Sequence, residues 1–189
     1  MTDDKNMDDI EVINGALDRP IVLVGMMGAG KSHVGRELAR VLSLDFVDSD
    51  TIIEDRAGCS ISDIFARDGE AAFRQQEEAV INELLAAGPH VLSVGGGAIT
   101  TPQVLDGIKS RAISVWVQAS LEDMAERVAR NNKRPLLQDS DPAVVLSGLL
   151  EKRRPLYAMT DIQVMNRNGQ DADTIAAVIE SLAKALKSP

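Results

Sequence analysis

The sequence predicts an α/β fold in which a parallel sheet is covered by helices on both faces. Short apolar segments rich in β-branched residues, such as PIVLV at 20–24, alternate along the chain with segments of helical periodicity. A helix between successive strands is the connection that parallel pairing requires. The chain has 189 residues and is 44% apolar, enough for one buried core. We therefore expect a single domain at 19–189.

Five segments have the composition of strands, and each is followed by a turn or a helix. They are 20–24, 44–48, 90–94, 112–117 and 161–165. The first runs into glycines and then into a helix at 31–42, in which Val34, Leu38 and Leu42 share one face. The second precedes a helix near 51–56.

Capping signals place the remaining helices. Ser60 or Ser62 starts a short helix that Gly69 interrupts, and the longer helix after it should end at Gly88-Pro89. Pro102 and Ser120 mark the starts of the next two helices. A further helix should end at Arg154-Pro155, and the last should begin near Asp173.

Charge and composition exclude several classes of protein. Of the net charge of −9, much lies in residues 1–18, which carry six acids and one base and are predicted to be a solvated, disordered extension. An acidic chain argues against a nucleic-acid partner. The single cysteine, Cys59, excludes an internal disulfide and fits the cytoplasm. We find no signal peptide, membrane span or exposed heptad, and we expect a monomer.

The stretch GMMGAGKS at 25–32 matches the phosphate-loop pattern G-x4-G-K-S. Its glycines let backbone N–H groups face phosphate oxygens, and the following helix adds its positive dipole end. Lys31 would reach the β- and γ-phosphates, and the Ser32 hydroxyl would ligate Mg²⁺. The alternative is a glycine-rich turn that binds nothing.

Two carboxylates follow the second strand in FVDSD. In extended geometry Asp48 and Asp50 would point to the same side, beside the phosphate loop. One would hold Mg²⁺ through water, and the other would accept a hydrogen bond from a substrate hydroxyl. The alternative is that one of them merely caps the next helix.

Arginines and a triple glycine complete the candidate site. Arg74 either forms solvated ion pairs along its helix or provides a guanidinium fork for a carboxylate. Gly95-Gly96-Gly97 suggests that a ligand approaches the backbone closely. The polar segment 131–141 reads as a mobile loop that could fold an arginine over phosphates. Solvated bases are the alternative for its arginine and for those nearby. The arginines concerned are Arg127, Arg134, Arg153 and Arg154.

Taken together, these motifs resemble those of shikimate kinase over residues 21–170. The shared segments are GMMGAGKSHVGRELA, FVDSD, SISDIFARDGEAAFRQQE, VLSVGGGAI, RVARNNKRPLL and RRPLY. The resemblance implies a P-loop nucleoside-monophosphate-kinase-like fold, with a five-stranded parallel sheet in the order 2-3-1-4-5 between helices. It also implies a lid near 131–141 and a substrate-binding subdomain.

The same resemblance assigns roles to individual residues. ATP would be bound by Gly28, Ala29, Gly30, Lys31, Ser32, His33, Arg127, Arg134 and Gln170. Shikimate would be bound by Asp50, Arg74, Gly95, Gly96, Gly97 and Arg153. Ser32 and Asp48 would hold the metal, Mg²⁺, and Lys31, Asp50 and Arg134 would be catalytic.

The sequence departs from the family pattern at three places. His33 follows the metal ligand where Ser or Thr is common, and the usual acidic residue after Tyr157 is missing. The adenine loop lies within 166–170, where Gln170 is our choice for the contact.

Other functions stay open on the sequence alone. They are another small-molecule P-loop kinase, of the gluconate or nucleoside monophosphate type, and a nucleotide switch or non-catalytic nucleotide-binding module. The combination of GGG with GExxFR argues against the kinases, and NNKR is not a guanine-reading motif.

Overall fold

The computed structural model describes residues 2–130, 141–167 and 171–187. Its strands are β1 Ile21–Val24, β2 Phe46–Asp48, β3 Val91–Ser93, β4 Ile113–Gln118 and β5 Ile162–Met165. They form one parallel sheet in the order β2-β3-β1-β4-β5, which confirms the prediction. At the sheet centre Ile21 is in register with Val91 on one side and with Ile113 on the other.

Helices join the strands and cover both faces of the sheet. They are α1 Thr2–Ala16, α2 Lys31–Leu42, α3 Ser49–Ala57, α4 Ile61–Leu84, α5 Pro102–Arg111, α6 Leu121–Ala129, α7 Pro142–Tyr157 and α8 Asp171–Lys187. All four residues of β1 are buried, as is expected of a central strand with helices on both sides. The face of α2 that carries Val34, Leu38 and Leu42 is buried, as its spacing predicts.

The expectation of a disordered extension at residues 1–18 is wrong for Thr2–Ala16, which form α1. This helix packs against α8, and its Ile13 is fully buried in the main core. The Asp9 carboxylate accepts a hydrogen bond of 3.1 Å from Lys187 of α8. Among the many acidic residues of this segment are four apolar residues that contact the core: Ile10, Val12, Ile13 and Leu17. Burial of this set on α8 orders a segment that has little amphipathic character of its own.

Two predicted helix details are confirmed and two helix ends are displaced. Ser60 caps α4 through a reciprocal capping box with Asp63, and Gly69 has the non-helical φ of 82° at the kink. The helix ends at Leu84 rather than at Gly88. Helix α7 continues past Pro155 to Tyr157. Proline is tolerated there because the carbonyl that loses its donor belongs to Glu151, which is exposed to water.

No helix in the described part of the chain is long and apolar enough to cross a membrane.

Candidate active site

The phosphate loop joins β1 to α2 at the carboxyl edge of the sheet. Gly28 has a φ of 78° and Gly30, the residue before α2, a φ of 92°, conformations that residues with a Cβ rarely adopt. The Lys31 ammonium group donates to the carbonyls of Gly25 at 2.9 Å and Met26 at 3.2 Å. The loop therefore wraps around the lysine side chain at the start of a helix, the geometry expected of a phosphate site.

Two side chains from other elements fix the outer part of this loop. Arg127 of α6 donates to the carbonyl of Gly28 at 3.0 Å, so its guanidinium group lies at the phosphate loop. Asn166, directly after β5, donates through Nδ2 to the carbonyl of Ala29 at 2.8 Å and is 2% exposed. Sequence reasoning did not single out Asn166. Its position at the carboxyl end of a strand was the available signal.

The metal-site candidates Ser32 and Asp48 are in direct contact. The Ser32 hydroxyl donates to Asp48 Oδ2 at 2.8 Å, and Asp48 Oδ1 accepts from the amide of Asp50 at 3.1 Å. Asp48 is thus the N-cap of α3, which is the alternative that the sequence left open for this residue. The described residues contain no cluster of three His, Cys, Asp or Glu side chains suited to a metal. A cation here would take most of its ligands from phosphates and water, as Mg²⁺ often does.

Asp50 does not lie on the extended strand that its spacing suggested. Strand β2 ends at Asp48, and Asp50 is in the first turn of α3. The helical turn directs its carboxylate to Gly95 on the neighbouring strand end. A Cβ at Gly95 would lie 2.9 Å from Asp50 Oδ1 and 2.8 Å from Glu77 Oε1. The missing side chain at Gly95 is what lets two carboxylates approach this loop.

Arg74 of α4 reaches the same glycine loop. A Cβ at Gly97 would lie 2.6 Å from one guanidinium nitrogen of Arg74 and 3.0 Å from another. Arg74 also donates to Glu77 at 2.6 Å and to Glu70 at 3.3 Å. Because the Glu77 side chain is only 1% exposed, the stronger of these ion pairs is not a solvated surface pair. Arg74 therefore forms ion pairs along its helix, one of them buried, and its guanidinium group also lies against the glycine loop.

Glu77, three residues after Arg74, is a buried carboxylate that the sequence analysis did not assign to the site. Burial raises the pKa of its carboxyl group above the usual value, Arg74 opposes that shift, and the charge of Asp50 adds to it. The charged form of the Glu77 carboxylate is thus stabilised by Arg74 and destabilised by burial and by the charge of Asp50. Buried groups with a raised or lowered pKa are frequent at functional sites.

Helix α7 supplies the third contact to the glycine loop. Arg153 donates to the carbonyl of Gly96 at 3.2 Å, and Tyr157, one turn later, donates to the same oxygen at 2.6 Å. Gly96 itself packs on the phosphate loop, since a Cβ there would lie 3.2 Å from both Gly25 O and Met27 N. Arg154 instead lines a groove of about 270 Å³ with Trp116 and residues of α6. The structure thus separates two adjacent arginines that residue type and spacing alone could not distinguish.

Three predicted positions lie away from this arrangement or outside the described residues. Arg134, the lid segment at 131–140 and Gln170 are not among the described residues. The amide of His33 donates to the Gly30 carbonyl at 3.1 Å, but its exposed side chain lines a groove between α1, α2 and α8. The contact of His33 with the phosphate loop is therefore made through its backbone amide.

The site brings a phosphate loop, a serine-aspartate pair and a carboxylate with two arginines to one edge of a parallel sheet. With the strand order β2-β3-β1-β4-β5, these features define a P-loop kinase of the nucleoside-monophosphate-kinase-like fold. A family model described as shikimate kinase matches residues 27–184. The chain belongs to the shikimate kinase family.

Two shikimate kinases are similar in sequence to this chain over most of its length. A shikimate kinase of Paramagnetospirillum magneticum is 48% identical over 171 residues, which cover 90% of this chain and 88% of the relative. A shikimate kinase of Caulobacter vibrioides is 46% identical over 167 residues, covering 88% and 84%.

Two solved structures are similar to this chain in fold. A shikimate kinase from Acinetobacter baumannii in complex with shikimate is similar with a TM-score of 0.85 at 38% identity, covering 95% of this chain and 99% of that one. A gluconokinase from Sinorhizobium meliloti has a TM-score of 0.57 at 18% identity, covering 88% and 93%. At that identity the likeness shows a shared fold alone.

Proposed function

We propose that the chain is an ATP-dependent shikimate kinase, which transfers the γ-phosphoryl group of ATP to the 3-hydroxyl of shikimate. The products are shikimate 3-phosphate and ADP, in the route to chorismate and the aromatic amino acids. Family membership supports the assignment. The observation that carries it is the convergence of Arg74 and Arg153 on one glycine loop that also adjoins Asp50 and the phosphate loop.

The two arginines would recognise the carboxylate of shikimate. Arg74 lies against Gly97 and Arg153 against Gly96, so both guanidinium groups border the same stretch of backbone. Charge-assisted hydrogen bonds from guanidinium to carboxylate are strong and directional. Gly95, Gly96 and Gly97 keep side chains out of this space, and Asp50 would take the hydroxyl groups of the ring.

Phosphoryl transfer asks for positioning and charge stabilisation more than for covalent chemistry. Lys31 would stabilise negative charge on the transferring oxygens, and Arg127 would hold the nucleotide end of the site. Arg134, outside the described residues, would add a second positive charge from the lid. Asp50 would orient the attacking hydroxyl and accept its proton late, since a carboxylate is a weak base toward an alcohol.

Ser32 and Asp48 fit a magnesium ion bound together with ATP. Their oxygens are 2.8 Å apart and lie at the end of the phosphate loop, and hydroxyl and carboxylate oxygens are ligands that Mg²⁺ prefers. Ser32 would bind it directly and Asp48 through water. When bound, the ion would neutralise charge on the phosphates.

ADP release from MgATP tests the assignment. The purified chain is assayed without acceptor and then with shikimate, gluconate or AMP. Release stimulated by shikimate alone supports the proposal. Stimulation by gluconate or AMP would identify another P-loop kinase, and ATP binding without any acceptor-dependent release would identify a binding module.

Asp50→Asn separates chemistry from nucleotide binding. We expect a loss of about 10²–10⁴-fold in kcat, the range typical of a positioned proton acceptor, with the Kd for ATP unchanged. Steady-state kinetics and isothermal titration with ATP measure the two quantities. A variant that keeps full kcat contradicts the role given to Asp50.

We also propose that the enzyme acts as a monomer in the cytoplasm without a nucleic-acid partner. The net charge of −9 supports the last point, because nucleic-acid binding needs a basic surface. Sedimentation at enzyme concentrations used for kinetics tests the monomer.

A further inference from the structure

Tyr157 contacts the glycine loop through its phenol hydroxyl, and the proposed function gives this side chain no role. Tyr157 is the last residue of α7 and is fully buried. Its ring stacks on Trp116 of β4, with centroids 5.5 Å apart, and its hydroxyl donates to the Gly96 carbonyl at 2.6 Å. The hydrogen bond from this buried tyrosine therefore holds the loop of three glycines to the sheet.

The loop needs an anchor at this carbonyl. The carbonyls of Gly95 and Gly97 accept the amides of Ala98 and Thr100, at 3.0 and 2.9 Å, inside the loop. The Gly96 carbonyl instead accepts from the side chains of Tyr157 and Arg153. Three consecutive glycines have large conformational freedom, so external hydrogen bonds decide where this backbone lies.

The same carbonyl sets the position of a substrate-binding arginine. Arg153 and Tyr157 are one helical turn apart on α7, and both donate to Gly96. The stronger, shorter bond comes from the tyrosine, which leaves Arg153 with a longer contact of 3.2 Å. Burial raises the pKa of Tyr157 to about 12, so the phenol remains a donor throughout the working range of pH.

We infer that Tyr157 is a positioning residue for carboxylate recognition: it anchors Gly96 so that Arg153 faces the substrate rather than the loop. Without the hydroxyl, Arg153 would be the remaining donor to the half-buried Gly96 carbonyl, and its guanidinium group would be shared between the loop and the ligand. The inference rests on the proposed function, because it assumes that the ligand between Arg74 and Arg153 is a carboxylate.

Tyr157→Phe tests the inference while keeping the stacked ring. We expect the KM for shikimate to rise about five- to tenfold, the equivalent of one buried hydrogen bond, with the KM for ATP changed by less than about twofold. The carboxamide analogue of shikimate, which lacks the charge that Arg153 recognises, should lose much less. The preference in kcat/KM for carboxylate over carboxamide should therefore fall.

Ile179→Val is the matched control. Ile179 is fully buried in α8, and the loss of one methylene lowers stability without touching the site. This variant should leave both KM values and the carboxylate preference unchanged. If it raises the KM for shikimate as Tyr157→Phe does, the effect is general destabilisation and the inference is wrong.

Hydrogen exchange on the free proteins gives a readout that does not depend on the substrate. The amides of Ala98 and Thr100 should exchange faster in Tyr157→Phe than in the wild type, and not in Ile179→Val. Unchanged exchange together with an unchanged KM for shikimate overturns the inference. A wild-type chain that does not phosphorylate shikimate overturns the proposed function and the carboxylate role, while the exchange data still decide whether Tyr157 anchors the loop.

Discussion

The Arg74 side chain packs directly on the backbone of Gly97, and this contact leaves no room for a Cβ at that position. Gly97 has a φ of −98°, which alanine adopts without strain, so a substitution here acts through sterics alone. In Gly97→Ala the new methyl group would lie 2.6 Å from an Arg74 nitrogen. We expect Arg74 to be displaced and the KM for shikimate to rise at least about tenfold, since a charge-assisted hydrogen bond is lost. Steady-state kinetics measures this effect.

Gly148→Ala is the corresponding control in a helix. Gly148 lies inside α7, and a Cβ there would meet nothing within 4 Å. The free energy of unfolding should rise by about 0.5–1 kcal/mol with KM values unchanged. If Gly97→Ala also leaves the KM for shikimate unchanged, Arg74 does not bind substrate from its observed position.

Glu77 makes stability and function oppose each other. Its carboxyl pKa is higher in the folded chain than the ordinary value of 4.5. The contribution of the protonated group to stability is therefore fully present below pH 4.5 and is lost as pH rises through the folded-state pKa. Glu77→Gln removes this loss, so the variant should gain in unfolding free energy relative to the wild type between pH 4.5 and pH 8. Urea denaturation across that range measures the difference.

The same substitution should weaken substrate binding. Arg74 loses the 2.6 Å ion pair that holds its guanidinium group toward Gly97, so the KM for shikimate should rise at pH 7.5 while the KM for ATP stays unchanged. A wild-type chain that gains stability relative to Glu77→Gln as pH rises would show that Arg74 outweighs burial.

At the scale of elements, α1 is held by apolar contact more than by charge. Ile13 is fully buried, whereas the ion pair joins a buried Asp9 to a Lys187 side chain that is 53% exposed. Ile13→Ala should lower the free energy of unfolding by about 2–4 kcal/mol, and Asp9→Asn by less than about 1 kcal/mol. Thermal and urea denaturation compare the two variants. An equal or larger effect of Asp9→Asn would show that the ion pair orders the helix.

The elements that the sequence misjudged share a physical cause. In α1, charge density suggested disorder, but a few apolar residues found a partner in α8, which is distant in the sequence. At Pro155, the stop signal was overridden because Tyr157, beyond it in α7, is buried in the core and Glu151, which loses a hydrogen-bond donor, is an exposed residue. Local features such as charge composition and proline stop signals do not contain information on contacts between segments that are distant in the sequence.

At the scale of the whole molecule, substrate binding should be visible as stability. A ligand that binds only the folded state at 100 times its Kd adds about 2.7 kcal/mol to the free energy of unfolding. We expect this gain with shikimate for the wild type. Arg153→Lys keeps the charge but loses the fork, so a tenfold weaker Kd should reduce the gain at the same concentration by about 1.4 kcal/mol. Denaturation with and without shikimate measures both values, and an equal gain in the two proteins would exclude Arg153 from the binding site.

The sequence by itself determined the fold class, the phosphate loop and most of the candidate site residues. Those features depend on spacing along the chain: glycines before Lys31, apolar residues every three or four positions, and carboxylates at strand ends. The family pattern then placed Arg74 and Arg153 in one site, which spacing alone could not do.

Only the tertiary structure decided how these residues meet. It turned Asp50 onto Gly95 through the first turn of α3, buried Glu77 against Arg74, and brought Asn166 and Tyr157 to the two glycine loops. It also separated Arg153, at Gly96, from Arg154, which lines another groove. The physical reason is that burial and hydrogen-bond partners across a sheet depend on strand order and helix packing, which bring together residues more than 60 positions apart in the chain.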